Sequence, residues 1–349
     1  MDVLILGGTI FLGRHLIDAA LARGHRVTIF HRGQHPFEPS KTSRSIEDLH
    51  GDRHGDLAAL AGRRWDAVID TSGYTPGEVR HTASRLSGRA GQYLFISSIS
   101  AYGELPTEGL DETAPAATIS DADLAVAETL DREDPVQRAR FFELYGPLKA
   151  ACERAVGEAF AGVSTVIRPG LIVGPHDPTD RFTYWPVRFA RGGDVIVPGP
   201  PERPIQLIDA RDLAEWTIAL VERSRPGLFN ATSPAGAFTM GTLVASCMRV
   251  ASDARPLWVP GPELVEAGVT PWVELPLWLG GDESMRGLMS VSVDRAVLEG
   301  LTIRPLDVTV RDTLDGWRTQ PADRVLRAGL APEREAELIS RWKAGAISG

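Results

Sequence analysis

At 349 residues, with 43% apolar and 24% charged residues, the chain has the make-up of a globular protein. It is large enough for one α/β domain with a smaller lobe, or for two domains. Its net charge of −9 argues against a general nucleic-acid surface, though not against a local basic patch, and no apolar run approaches the ~18 residues of a membrane span. Cys152 and Cys247 lie far apart in helix-like segments. They read as buried thiols in a reducing compartment, not as a disulfide or metal pair. The chain starts directly on a strand-like run, so no signal peptide and a cytoplasmic location are expected.

Residues 3–6 form an unbroken apolar run, as in a strand buried on both faces. Gly7 and Gly8 follow at once, and residues 11–23 carry apolar side chains at helical spacing. Strand, glycine turn and helix in this order open a dinucleotide-binding unit. The free N–H groups and positive dipole end of the helix face a pyrophosphate there. Gly7, Thr9, Ile10, Phe11, Leu12 and Gly13 are therefore candidate cofactor residues. Ile10 stands where a third glycine is usual, so either the pyrophosphate is displaced outward or the Ile10 side chain turns away from it.

Further strands are predicted at 25–30, 65–71, 92–97 and 163–168, with helical stretches at 57–61, 77–87 and 144–161 between them. The alternation implies an α/β fold, a Rossmann-type doubly wound parallel sheet with right-handed crossovers. The insertion at 103–142 is acidic and holds several prolines, which suits a lid or a solvated excursion equally. After Pro169, proline, glycine and tryptophan become frequent. This divides the chain into a dinucleotide-binding domain at 1–170 and a smaller, irregular, mainly substrate-binding lobe at 171–349. Within the lobe, 205–209, a helix at 210–221 and 228–231 are expected to return to the main sheet. A terminal helix is predicted at 332–343, with its proline in the first turn and its Glu and Arg residues on a solvated face.

Tyr145-Gly146-Pro147-Leu148-Lys149 is the strongest chemical signal. Residues four apart share a helix face, and Pro147 is tolerated if the helix begins at Tyr145. The chain has five tyrosines and three lysines, so chance seldom produces this spacing. A phenol of pKa about 10 is a poor acid–base at neutral pH, and a nearby cation would lower it toward the working range. Tyr145 could then exchange a proton with a carbonyl or alcohol as hydride moves. Ser97 and Ser98, at the end of the strand 92–97, sit where open α/β sheets bind ligands, and either could hold the substrate oxygen.

The strand–GGT-x-FLG–helix opening, FISSISAYG at 95–103 and YGPLK at 145–149 resemble the extended short-chain dehydrogenase/reductase superfamily, the NAD-dependent epimerase/dehydratase group. The resemblance spans essentially the whole chain. It implies Ser98 as the catalytic hydroxyl, Tyr145 as the acid–base, and Lys149 as a ribose ligand that also tunes Tyr145. It also implies cofactor contacts at Asp52 and Arg53 near the adenine, at Thr71, Ser72 and Gly73, at Ser97, and at Pro169 beside the nicotinamide. The Ile10 form of the turn is similar to an atypical branch that includes isoflavone-reductase-like proteins and chloroplast stem-loop RNA-binding proteins. Ser98 is followed by Ile99 and Ser100. Nucleotide-sugar dehydratases have Asp-Glu there, so 4,6-dehydration is not expected. The arginine that grips a nucleotide diphosphate in many relatives aligns near Ile205, with Arg203 as the candidate substitute. His176, Arg181, Tyr184 and Trp185 follow the nicotinamide turn and suit substrate contact or loop packing.

NAD-selective members place an acid at the end of the second strand, where this chain has His31 and Arg32. Arg32 can pair a 2′-phosphate, which predicts NADP over NAD. The expected function is an NADP-dependent oxidoreductase, a reductase or dehydrogenase acting on a carbonyl or alcohol of a small molecule. The alternatives are an NAD(P)-dependent epimerase of a sugar nucleotide or related metabolite, and a non-catalytic dinucleotide-sensing or RNA-binding protein. The eight histidines form no tight ligand set in sequence, so no metal is expected. A homodimer through paired helices is what the resemblance implies.

Overall fold

The computed structural model describes residues 1–35, 46–251 and 253–345. Its centre is a seven-stranded sheet whose registers are all parallel. The strands are β1 (Asp2–Leu6), β2 (Arg26–His31), β3 (Ile46–His50), β4 (Ala67–Asp70), β5 (Tyr93–Ile96) and β6 (Ser164–Pro169), with Gly227–Ala231 at the edge beside β6. β1 lies between β2 and β4, so the winding reverses direction there. A crevice forms at such a point beyond the carboxyl ends of the strands.

The apolar run of β1 is buried on both faces, as its composition requires. Val3 and Ile5 join the core under α1 (Phe11–Ala22), while Leu4 and Leu6 join the core under α2 (Pro76–Leu86). The first helical turn of α2 carries a reciprocal capping box: Thr75 accepts from the Glu78 N–H, and Glu78 accepts from the Thr75 N–H. The insertion holds two short helices, α3 (Asp121–Ala127) and α4 (Pro135–Glu143), and α5 (Tyr145–Ala159) follows. Pro147 falls in the first turn of α5, where its missing N–H costs nothing.

Three expectations change. The stretch 57–61 makes only a single 3-10 turn, Ala58–Leu60. Residues 205–209 do not enter the main sheet. Leu207–Asp209 pairs with Leu171–Val173, and Pro204–Ile205 pairs with Phe238–Thr239. The place beside β6 is already filled by Gly227–Ala231, whose last carbonyl receives the Gly170 N–H at 3.0 Å. The helix Ala210–Glu222 does return and packs against α1, and 228–231 joins the sheet as expected. On the terminal helix Pro332–Lys343, Glu335 is buried. It pairs with Arg188 and accepts the Ile196 N–H at 3.2 Å, so this face docks onto the second lobe. Cys152 and Cys247 are buried free thiols. No described helix is long and apolar enough to cross a membrane.

The second half of the chain builds its own apolar cluster, which includes Phe182, Phe189, Trp278 and Leu338. Tyr184 and Trp185 belong to this core, at 1% and 0% exposed. The Trp185 indole donates to the Pro276 carbonyl at 3.2 Å. They pack into this core.

Candidate active site

A cleft of about 750 Å³ runs along the carboxyl ends of the central strands. Residues 7–13, His31, Arg32, Asp52, Arg53, Thr71, Ser72, Ser97, Tyr145 and Lys149 all border it. Gly73 and Pro169 do not. Gly73 lies against Phe95 and Val79, and Pro169 is buried at the end of β6. Ile172 borders the cleft instead.

The glycine turn is shaped for close approach. Gly7 has φ +92°, and a Cβ on it would come within 2.6 Å of Thr71 Oγ1. A Cβ on Gly13 would lie 2.1 Å from Gly8 Cα, so helix and turn touch only because position 13 is glycine. α1 begins with Ile10 as its N-cap, without a side-chain cap bond and without an acid in its first turn. Its first N–H groups therefore suit an anion. Ile10 is 46% exposed and borders the cleft.

At the other end, Ser98 lies close enough to the Tyr145 phenol to act on its proton affinity. Lys149 is buried. Its ammonium donates to the Gly73 carbonyl at 2.9 Å and the Ile96 carbonyl at 2.8 Å, and it lies 5.9 Å from the Tyr145 ring centre. The phenol is not lowered toward neutrality as the sequence suggested. Burial pushes it up to about 12, and Ser98 and the Arg181 charge only partly oppose this. Burial likewise moves Lys149 down from its ordinary value. Ser98 does not border the main cleft, while Ser97 does and donates to Glu153 at 2.5 Å. Glu153 also pairs with Arg168 at 2.6 Å.

Two predicted cofactor residues have other partners. Arg53 holds Asp70 through two bonds of 2.9 and 2.8 Å and Ser72 at 3.1 Å, so its guanidinium braces the turn at the cleft wall. His31 bonds Asp48 at 2.8 Å and receives the Gly33 N–H, while Arg32 is exposed and makes no ion pair with a described residue. The parallel register sets His31 opposite His50, and the His50 ring reaches the same Asp48 oxygen at 3.3 Å. This gathering of two histidines around one carboxylate had no signal in the one-dimensional spacing.

The insertion proves to be part of the cleft, through residues that carry no motif in the sequence. Leu130, Arg132, Phe141 and Phe142 border the cavity. Arg132 pairs with buried Glu78 at 2.6 Å and lies 5.1 Å over the Tyr74 ring and 5.5 Å from that of Phe141. Glu128 accepts the Gly77 N–H at 2.8 Å, which fastens the same segment to the start of α2. Three arginines, Arg132, Arg138 and Arg140, ahead of or beside two adjacent phenylalanines in an acidic stretch are the available clue.

Of the remaining substrate candidates, Arg203 donates to the Gly199 carbonyl at 3.2 Å and borders neither this cleft nor the smaller cavity described next. His176 lines that second cavity, of about 370 Å³, beside Ile10 and Arg14, with its ring 5.9 Å from that of His15. Arg181 is the one whose charge reaches Tyr145.

Residues 3–231 match the NAD dependent epimerase/dehydratase family. The chain is 26% identical over 246 residues to chloroplast stem-loop binding protein of 41 kDa b of Arabidopsis thaliana, covering 65% of this chain and 57% of that protein. It therefore spans less than two thirds of that relative. It is also 26% identical over 287 residues to the Bos taurus epimerase family protein SDR39U1, covering 77% and 86%. Among solved structures it is similar to the Bordetella bronchiseptica enzyme WbmH in complex with NAD+, with TM-score 0.64, 14% identity and coverage of 91% and 98%. It is similar too to human SDR39U1 with NADPH, with TM-score 0.57, 19% identity and coverage of 90% and 99%. At these identities the solved structures share the fold.

Proposed function

The chain belongs to the NAD dependent epimerase/dehydratase family, and from that premise we propose that it is an NADP-dependent oxidoreductase acting on the carbonyl or alcohol of a small molecule. One observation carries the reading. Tyr145 and buried Lys149 border one end of a cleft whose other end is a glycine turn and an uncapped helix start, with Ser98 close to the phenol.

The residues present fit the dinucleotide. Gly7 and Gly13 leave the room that a Cβ would fill, and the first turn of α1 offers N–H groups to a pyrophosphate. When bound, the nicotinamide gives or takes a hydride. Everything else falls to the chain. Ser98 holds the substrate oxygen and the Tyr145 hydroxyl. Tyr145 gives its proton to that oxygen in reduction and takes one in oxidation. A phenol raised to about 12 keeps its proton at neutral pH, the form that donates in reduction. Lys149, fixed by two carbonyls, holds positive charge beside the phenol and the ribose position. The reading is tested by NADPH oxidation across a panel of aldehydes and ketones. Failure both to bind NADPH and to turn over any member would sink it.

Arg32 supplies the cofactor preference, because the neighbouring position holds His31, already bonded to Asp48, and not a free carboxylate. Arg32→Ala should weaken NADPH binding by roughly 10- to 100-fold, the worth of a charge-assisted bond, and leave NADH nearly unchanged. Fluorescence titration of both cofactors checks this, and equal losses for the two would refute the assignment.

A second reading is an epimerase, in which the hydride returns to the same molecule. The observation favouring it is the insertion, fastened over the cleft through Arg132–Glu78 and Glu128–Gly77, which would slow cofactor exchange. Protein purified with nicotinamide retained, and active without any added, would support this reading over net reduction.

A further inference from the structure

The insertion ends in a run of rings that leads to the proton donor. Tyr74, Phe141, Phe142 and Tyr145 follow one another with ring centres 6.5, 6.2 and 6.0 Å apart. The first two pairs are edge-to-face, at 65° and 83°, an arrangement that aromatic quadrupoles favour. All four residues border the main cleft. Lys149 Nζ lies 5.4 Å from the Tyr74 ring centre and 5.9 Å from that of Tyr145, so both ends of the run stand beside the reacting group.

This run is held from behind and bare in front. Phe141 is 1% exposed and packs with Ala127 of α3 and Leu148 of α5. Phe142, by contrast, is 58% exposed and Tyr74 38%. Scattered exposed rings need no explanation, but rings gathered along a concave wall are the usual lining of a small-molecule site. The two cations that touch these rings are already engaged: Arg132 pairs with Glu78, and the Lys149 ammonium is held by two carbonyls. Of the other insertion charges at the cleft, Arg138 stands one turn of α4 before Phe142, ~6 Å along the axis, and Asp131 and Glu133 precede that helix. A polar group set against Phe142 would lose its water and gain no hydrogen bond from the ring, whereas an apolar one gains from the burial of both surfaces.

We propose that this wall selects the substrate: the molecule reduced beside Tyr145 bears its carbonyl on an apolar, ring-sized group that lies against Phe142. Phe142 is thereby a specificity-determining residue, and the insertion supplies part of the substrate site. The proposal rests on Tyr145 being the proton donor, and it narrows the substrate from any small carbonyl compound to an apolar aldehyde or ketone.

The test uses the full chain loaded with NADPH, and begins by measuring NADPH affinity. Alcohols are not reduced by NADPH, so benzyl alcohol, cyclohexylmethanol and glycerol form dead-end complexes whose binding calorimetry reads independently of turnover. In the wild type, at least one of the two ring alcohols should bind roughly 10-fold or more tighter than glycerol, as the burial of about 60 Å² of apolar surface implies. Phe142→Ser should bring that ratio close to one, a loss larger than any change in NADPH affinity, and Phe142→Leu should keep most of it. A thermal melt confirms that each variant is folded. Ring alcohols that bind no tighter than glycerol, or a preference that survives in folded Phe142→Ser, would each overturn the proposal. So would a loss confined to NADPH affinity, which would make Phe142 a cofactor contact only. Failure of the wild type to bind NADPH would overturn the oxidoreductase reading itself, and this proposal with it.

Discussion

Tyr145→Phe should lower kcat by roughly 10²- to 10⁴-fold, the range typical of removing a positioned general acid–base, while NADPH affinity stays within about twofold. The substitution deletes one oxygen from a side chain whose ring remains packed between Phe142 and Lys149. The glycine turn and Lys149, which hold the other parts of the cleft, are untouched. Ser98 loses its phenol neighbour but keeps the Ser100 N–H at 3.1 Å, so the serine loop should stay in place. A companion result concerns pH. The proton is held by a phenol pushed up to about 12. The protonated form is the donor, so the reductive rate should not decline through Tyr145 below about pH 10 and should fall as the phenol ionises. Steady-state rates from pH 6 to 11 on wild type and variant check both points. Full turnover by Tyr145→Phe would remove the mechanism, and a reductive rate that halves near pH 7 to 8 with unchanged KM would show that another group gives the proton.

What could be read from the chain beforehand followed a simple physical division. The glycine turn, the start of α5 at Tyr145 and the alternation of strands and helices are local. Each depends on residues within a few positions of one another, so spacing exposes it. Lys149 was visible as the i+4 partner of Tyr145, but its two carbonyl acceptors come from Gly73 and Ile96, distant in sequence, and they change what it does. His31, Asp48 and His50 meet only because β2 and β3 pair in one register. Tyr184 and Trp185 were ambiguous because an aromatic on a short helix looks the same in a pocket wall and in a core. The tertiary packing that separates the two outcomes leaves no mark in the spacing. For 205–209 the apolar pattern correctly indicated a strand, but pattern cannot reveal that the neighbouring edge position is already occupied by Gly227–Ala231.

Arg53→Met should destabilise the protein by about 3–5 kcal/mol, because it leaves Asp70 as a buried charge without its counter-ion. Asp70 is 0% exposed at the end of β4, where it holds Arg53 through two bonds and accepts the Tyr93 hydroxyl at 2.7 Å. Burial pushes its carboxyl up, but the Arg53 charge and the hydrogen bonds from Arg53 and Tyr93 outweigh burial, and the net position is below the usual carboxylate value. A depressed carboxyl contributes stability that is whole above its unfolded pKa, about 3.9, and is lost as pH falls through its folded value. The gap in urea midpoint between wild type and Asp70→Asn should therefore be constant from pH 7 to about 5 and narrow below about pH 4. The pair also fixes the site, since Arg53 reaches Ser72 at 3.1 Å and Ser72 lines the cofactor cleft. Arg53→Met should accordingly weaken NADPH binding even under conditions where the variant is fully folded. The double variant Arg53→Met with Asp70→Leu, which buries no lone charge, should recover much of the stability but not the affinity, and that split separates the brace's contribution to folding from its part in shaping the turn. Recovery of both together would mean that Arg53 acts on the cofactor only through global stability, and an undiminished gap at pH 3 would show that Asp70 does not carry the titration.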